Sequence, residues 1–257
     1  QLALSFDEEV GCTGAPPMIE AMRGLVPKGS AVIVGEPSML KAVTGHKGGN
    51  AFSTHVIGFE VHSSIHYQGV SAIHEGARLI HWATEQNELN RSATPGPLAA
   101  MFDPPYTTWH VGRVSGGTAD NITAKDCHFN MFYRAVPGDE PAILDQMYSD
   151  KVSEIKAAMQ VVRPETDIVL ERRFSVPPLK PEEAGESESL VRTITGDNAS
   201  HVVSYGTEAG QFQAAGYSAV VCGPGDIAQA HQPNEFIEVV QFEAGHQFMR
   251  DLLKKLK

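Results

Sequence analysis

The chain has 257 residues, and its 20 basic against 31 acidic side chains give a formal charge of -11. This balance argues against nucleic acid or an anionic membrane as the main partner, because both are bound chiefly through basic patches. Three scattered cysteines exclude a disulfide framework. No apolar run approaches the roughly 20 residues of a membrane helix, and no signal segment is present. The composition therefore predicts a cytoplasmic protein.

The first and last parts of the chain share one pattern, in which short apolar runs alternate with helical stretches. The runs predict buried strands at 2–6, 31–34, 202–203 and 219–221. Helices are predicted at 16–23, 186–195, 209–215 and from about 239 onward. Continuous Val, Ile and Ala runs that are separated by helices indicate a largely parallel sheet covered on both faces.

The middle of the chain has a different pattern. It predicts, in order, a strand at 51–59, a helix at 70–84, strands at 108–114 and 127–134, a helix at 142–159 and a strand at 167–171. This β-α-β-β-α-β order is the ferredoxin-like arrangement, with two helices on one face of an antiparallel sheet. We therefore predict an α/β domain made of 1–43 and 176–257, with a small α+β domain of 44–175 inserted into it.

Polar side chains follow three of the predicted buried strands. Glu8 and Glu9 come after the first strand, Glu36 after the second, and His231 a few residues beyond the strand at 219–221. Ligands bind outside the carboxyl ends of strands in open α/β sheets, and carboxylates with imidazole suit zinc, cobalt or manganese. A single acid after a strand is typical of a solvated loop. The agreement of three strand ends favours a metal site.

Glu8 and Glu9 are adjacent, so their side chains point in different directions. One of them can hold a metal ion while the other takes a proton from the metal-bound water. The alternative is an ordinary acidic turn.

Several spaced motifs together resemble the M20 family of metallopeptidases and deacylases. They are DEEVG (7–11), GEPS (35–38), GGTADN (116–121), YRAVPG (133–138), GPG (223–225) and AHQPNE (230–235). Within the family, GHKG (45–48), TEA (207–209) and QAHQP (229–233) favour the branch of the acetylornithine deacetylases. The resemblance implies a zinc-peptidase-like α/β catalytic domain with an inserted dimerisation, or lid, domain.

The resemblance also implies roles for individual residues. Glu8 would be the general base, Glu9 and His231 would bind one metal ion, and Glu36 would bind a second. The cofactors would be two divalent ions, zinc or cobalt. His62 of the inserted domain would stabilise the oxyanion in the active site of a partner subunit, which requires a homodimer formed through that domain.

Two further residues complete the site that the resemblance implies. Asn121 would assist His62 or bind substrate, and Arg134 would form a bidentate pair with the substrate α-carboxylate.

The sequence departs from the family pattern in two places. Val61 stands before His62, where Gly or Ala is usual. The family's His-x-Asp motif and bridging Asp occur nowhere in the 257 residues, so we expect these two ligands in an N-terminal segment that the sequence lacks.

The function that the resemblance implies is removal of the acetyl group from N-acetylornithine, a step of arginine biosynthesis. The substrate partner is then a small N-acyl amino acid. Two alternatives stay open. One is another M20 deacylase or a dipeptidase, such as succinyl-diaminopimelate desuccinylase. The other is a non-catalytic dimerising fragment. Because the ligand set is incomplete, the 257 residues alone are expected to be inactive.

Overall fold

A computed structural model describes residues 1–256, and the chain divides into two compact units. Unit 1 comprises Gln1–Gly48 and Val176–Lys257, and unit 2 comprises Gly49–Ser175. The elements in chain order are α1 (Ala15–Met22), β1 (Ala31–Val34), β2 (Val43–His46), β3 (Gly49–Ile57), α2 (Ala72–Ser92), β4 (Thr108–His110), β5 (Val114–Gly116), β6 (Asp126–Arg134), α3 (Pro141–Val162), β7 (Asp167–Val176), α4 (Glu186–Thr195), β8 (His201–Val203), α5 (Ala209–Ala214), β9 (Ser218–Val221) and α6 (Val239–Lys255).

Unit 1 is built on a four-stranded sheet in the order β1-β9-β2-β8. The pairs β1–β9 and β2–β8 are parallel, and β2–β9 is antiparallel. Ala219 and Val221 of β9 join one apolar cluster with residues of α1 and α5. Val220 and the adjacent Cys222 join a second cluster with residues of α4 and α6. The prediction of a largely parallel sheet with helices on both faces is therefore confirmed.

The beginning of unit 1 differs from the sequence prediction. Residues 2–6 form no strand, and Leu2 and Leu4 are 81% and 83% exposed. The predicted buried strand was wrong: β1 is the edge strand of the sheet, and this apolar run does not pair with it. A strand was missed at β2, where the polar side chains of Thr44 and His46 are buried and break the apolar run.

Unit 2 has the predicted ferredoxin-like arrangement. Its sheet has the order β4-β6-β3-β7, with β5 also paired to β6, and α2 and α3 share its core. The core is rich in aromatic residues: Trp82 of α2, Trp109 of β4, Tyr133 of β6 and Tyr148 of α3 all pack within it. Among residues 1–256, no helix is long and apolar enough to cross a membrane.

One predicted strand of unit 2 is divided in the structure. The run at 108–114 forms β4 and β5, which pair with opposite ends of β6. β4 lies beside Phe132–Arg134, whereas β5 lies beside Cys127–Phe129. The break falls around Gly112, which has no side chain to pack on a pleated surface.

Candidate functional site

The loop that carries Glu36 is fixed at the carboxyl edge of the unit 1 sheet. β1 and β9 are parallel with Val34 opposite Val221, so Glu36 follows one strand where Gly223 follows the other. The Gly223 carbonyl accepts hydrogen bonds from the Ser38 and Leu40 N–H groups at 3.1 and 2.9 Å. A Cβ on Gly223 would lie 2.5 Å from the Gly35 carbonyl oxygen. Only glycine permits this approach, which positions Glu36.

Glu8 and Glu9 lie in a turn before α1, and their side chains have different partners. Glu9 Oε2 lies 3.8 Å from His231 Nε2, and both side chains are largely exposed. Glu8 Oε1 accepts a hydrogen bond from Cys12 Sγ at 3.3 Å. The structure thus brings two of the residues with predicted metal roles, Glu9 and His231, next to each other, and it gives Glu8 a different partner.

Electrostatic interactions link Glu36 to Glu9 and His231. Burial, together with the charges of Glu8, Glu9 and Glu208, raises the pKa of its carboxyl group to about 7, although His231 opposes the shift. Four carboxyl groups and one imidazole therefore share one region of unit 1. All four residues that the sequence assigned to the metal chemistry of this domain belong to it.

Glu208 is a member of this group to which sequence reasoning gave no role. It is buried at the start of α5, and its Oε1 has no hydrogen-bond partner among the described residues. Burial and the charge of Glu8 raise its carboxyl pKa, although a hydrogen bond with Ser5 opposes this. The TEA stretch (207–209) favours a branch of the family but does not mark the burial of Glu208.

These residues fit a divalent cation. A buried carboxylate oxygen without a partner and several acids that raise the pKa of Glu36 favour a positive ion between them. Glu9, Glu36 and His231 are the donors that zinc or cobalt prefers. In the described residues, however, these three do not bring one ligand atom each within 4.8 Å of the others. Their assignment as ligands stays a prediction.

In unit 2, the structure brings His62 and Asn121 together. The backbone of His62 bridges that of Ile122, and the Ser63 N–H donates to the Asn121 carbonyl at 2.8 Å. His62 Nδ1 accepts from the Ser64 N–H at 3.3 Å and lies 2.8 Å from Ser64 Oγ. An imidazole that accepts at Nδ1 carries its proton on Nε2 when it is neutral. His62 is exposed and can therefore donate a hydrogen bond from Nε2.

Val61, the departure from the family pattern, is accommodated by a glycine. A Cβ on Gly69 would lie 2.5 Å from Val61 Cγ2, so the larger side chain occupies the space that Gly69 leaves. The Val61 N–H donates to Thr123 Oγ1 at 2.8 Å, and the Val61 carbonyl accepts from the Thr123 N–H at 3.0 Å, so two hydrogen bonds hold the segment before His62. The substitution thus leaves the His62 segment anchored.

Arg134 lies far from this pair. It ends β6, and its guanidinium carbon is 4.7 Å from the centroid of the Phe132 ring. At about 3.4 Å per residue, the nine residues of β6 span roughly 27 Å. His62 and Asn121 lie beyond the Asp126 end of this strand, so the predicted substrate residues of unit 2 form two separate groups.

Comparison with known proteins agrees with this architecture. Residues 44–160 match the M20 peptidase dimerisation domain. The chain is 34% identical to an acetylornithine deacetylase of Myxococcus xanthus over 245 residues, which are 93% of this chain and 60% of that protein. The chain is thus similar to acetylornithine deacetylases over most of its length, and residues 44–160 are similar to the dimerisation domain of M20 peptidases. An acetylornithine deacetylase of Proteus mirabilis is 30% identical over 226 residues, 86% of this chain and 55% of that protein.

Solved structures support the fold. A tripeptidase of Staphylococcus aureus has a TM-score of 0.70 at 18% identity, and the match covers 97% of this chain and 62% of that one. The aminopeptidase PepT of Bacillus cereus has a TM-score of 0.65, also at 18% identity, over 96% of this chain and 62% of that one. The chain thus spans about three fifths of the length of these relatives. His62, Asn121 and Arg134 fall within the matched dimerisation domain.

Proposed function

We propose that the protein is a metal-dependent hydrolase that removes the acetyl group from N-acetylornithine, giving ornithine and acetate. The observation that carries the proposal is the group of acidic side chains around Glu36, which raises the pKa of the Glu36 carboxyl group to about 7 together with burial. Similarity to acetylornithine deacetylases over 93% of the chain supports this choice of substrate. The proposal includes a cytoplasmic location and a role in arginine biosynthesis.

Glu9, Glu36 and His231 would hold the metal ions. Zinc or cobalt would polarise the acetyl carbonyl and make water a stronger nucleophile when bound there. Glu8 accepts the proton of the attacking water as its oxygen adds to the carbonyl carbon. It then passes that proton to the amine nitrogen as the C–N bond breaks and acetate leaves. The hydrogen bond from Cys12 Sγ to Oε1 orients the Glu8 carboxylate, and its other oxygen can take the proton.

The groups of unit 2 would bind and orient the substrate. His62 donates from Nε2 to the oxygen that gains negative charge, and Asn121 acts beside it. Arg134 forms a two-point pair with the α-carboxylate. An N-acyl amino acid is much shorter than β6, so His62 and Arg134 of one chain would contact different substrate molecules. This separation supports the proposal that His62 works in the active site of a partner subunit.

The proposed partner is therefore a second copy of the chain, joined through residues of unit 2. The match of residues 44–160 to a peptidase dimerisation domain supports this assembly. Light scattering at micromolar concentration should give the mass of a dimer. A strict monomer would contradict both the assembly and the role of His62 across subunits.

We further propose that the 257 residues by themselves do not catalyse the reaction. Glu9, Glu36 and His231 supply three ligands, whereas a two-metal site of this family also needs a second His and a bridging Asp. Excess zinc or cobalt should leave the polypeptide of residues 1–257 without measurable turnover. Turnover near that of the Myxococcus xanthus enzyme would show that other residues of this chain complete the site.

The test of the activity uses the product of the complete reading frame that contains these residues. It should release ornithine from N-acetylornithine, lose activity to a chelator and regain it with zinc or cobalt. N-Succinyl-diaminopimelate and a dipeptide should be poorer substrates. Faster cleavage of either one would change the proposed substrate but would still support a hydrolase. Failure to cleave any of them in the metal-loaded protein would favour a non-catalytic dimerising protein and overturn the proposal.

A further inference from the structure

Unit 2 carries a cluster of metal-binding side chains on the exposed face of its sheet. β3 and β6 are antiparallel, and His55 lies directly opposite His128. Asp126 is two residues from His128 and therefore on the same face. The residues on either side of His128, Cys127 and Phe129, are buried on the opposite face against the helices. The register of two neighbouring strands thus brings two imidazoles and one carboxylate together.

The cluster is already close to a coordinating arrangement. His55 Nε2 lies 2.7 Å from Asp126 Oδ1, and the two imidazole rings are stacked with centroids 3.9 Å apart and planes 19° from parallel. One ligand atom from each of the three residues lies within 4.8 Å of the others. Among residues 1–256, this is the one group of three or more such side chains that meets this distance.

We propose that His55, Asp126 and His128 bind a divalent transition-metal ion of the zinc class. Zinc is held at about 2.0–2.2 Å by nitrogen and carboxylate oxygen, so two tetrahedral ligands are about 3.4 Å apart. His55 and Asp126 are somewhat closer than this, and the exposed His128 would reach the same distance by rotation of its side chain. Imidazole selects zinc, copper or nickel over magnesium and calcium, which prefer oxygen ligands.

The donor set of the cluster suits an ion better than a simple His–Asp pair, because His128 stacks on His55 and can serve as a third donor. A divalent ion is bound by both rings in their neutral form. The side chains of His55 and Asp126 are 32% and 47% exposed, so an ion can enter from solvent and keep water in its remaining position.

Binding at this cluster would connect the two central strands of the unit 2 sheet. Because the ion binds the folded sheet and has no preformed site in the unfolded chain, it should raise the thermal midpoint of the protein. None of the three ligands belongs to the hydrolase centre proposed above, whose metal residues lie in unit 1. The two proposals can therefore fail separately.

The experiment titrates zinc into the full chain that carries Glu9→Gln and His231→Gln, which removes proposed ligands of unit 1. This background should still bind one zinc ion tightly, and magnesium should not compete. Adding His128→Gln should weaken zinc binding by more than about 100-fold, since even partners outside the metal's ligand set contribute about 10–100-fold. The rise in thermal midpoint with zinc should disappear at the same time.

Two further variants make the result specific. Asp126→Asn keeps the shape of the side chain and should also weaken zinc binding. His81→Gln removes an exposed imidazole of α2, whose Nε2 lies 3.6 Å from Glu85 Oε1, and should leave zinc affinity unchanged. The proposal is overturned if the background binds no zinc, or if His128→Gln and His81→Gln bind it equally well.

Discussion

The two units position their polar side chains in different ways. In unit 2, His55 and His128 stand on paired strands, and the strand register alone fixes their separation. In unit 1, the acidic group is assembled from loops that are far apart in sequence, at 7–9, 36, 208 and 231. Some of these loops have unusual backbone conformations, since Asp7 and His231 have φ values of 54° and 56°. Strands hold a site through regular pairing, whereas loops need strained residues and close contacts.

The strongest test of this difference concerns Glu8, whose direction is set by a loop. In the product of the complete reading frame, Glu8→Gln should lower kcat by about 10²–10⁴, because the general base is lost while the shape of the side chain is kept. The control is Glu20→Gln on α1, an exposed acid that is 3.1 Å from Arg23 and should leave kcat unchanged. Equal kcat values in the two variants would remove Glu8 from the mechanism.

The next test concerns Arg134, whose position is set by a strand. Arg134→Lys keeps the charge but loses the planar two-point contact, so kcat/KM should fall by an amount equivalent to about 1–3 kcal/mol. Arg173→Lys on β7 changes an exposed arginine in the same way and should be neutral. If Arg134→Lys keeps kcat/KM and lowers only the thermal midpoint, its contact with Phe132 is structural.

A smaller effect is expected at Glu208. Glu208→Gln removes a buried negative charge beside the proposed metal residues and should weaken zinc binding by about tenfold, the lower end for a residue that supports metal ligands. The titration is made with His128→Gln present, so that the unit 2 cluster does not contribute. Glu183→Gln, at an exposed position of unit 1, is the matched control. Equal zinc affinities of Glu208→Gln and Glu183→Gln would show that Glu208 does not support the metal site.

The same difference explains how much of the fold the sequence could predict. Unit 2 was predicted nearly element by element, because its strands alternate buried and exposed residues and its helices are long. The apolar run at 2–6 was wrongly predicted to be a strand, because an apolar pattern alone does not show whether a segment pairs with a neighbouring strand. β2 was missed because Thr44 and His46 are polar, although both are buried.

The candidate site could be predicted only in part. Glu8, Glu9, Glu36 and His231 were found through motifs, and the structure gathers them. Glu208 was not assigned because nothing local marks its burial or its unpartnered oxygen. The His55–His128 cluster was also missed: these residues are 73 positions apart, so only the strand register brings them together.

The last prediction concerns a carboxylate that holds the loops of unit 1. Asp197 follows α4 and accepts hydrogen bonds from the Ala42 and Ala199 N–H groups at 2.9 and 3.2 Å, while His201 Nε2 lies 3.1 Å away. Burial disfavours its charge, but these hydrogen bonds outweigh the cost and lower its pKa. At neutral pH, Asp197→Asn should therefore lower the free energy of unfolding by about 1 kcal/mol.

The pH dependence of this effect follows from the direction of the pKa shift. A carboxyl group with a lowered pKa in the folded state stabilises the protein above its unfolded pKa of about 3.9, and this contribution is lost as the pH falls through the folded value. Denaturant unfolding of the original chain and of Asp197→Asn should thus differ at pH 7 and converge below about pH 4. Asp150→Asn, at an exposed position of α3 in unit 2, should give no such change. If the Asp197 difference is instead constant with pH, the stabilisation depends on the shape of the side chain rather than on its charge, and the loops of unit 1 are held by packing as the strands of unit 2 are.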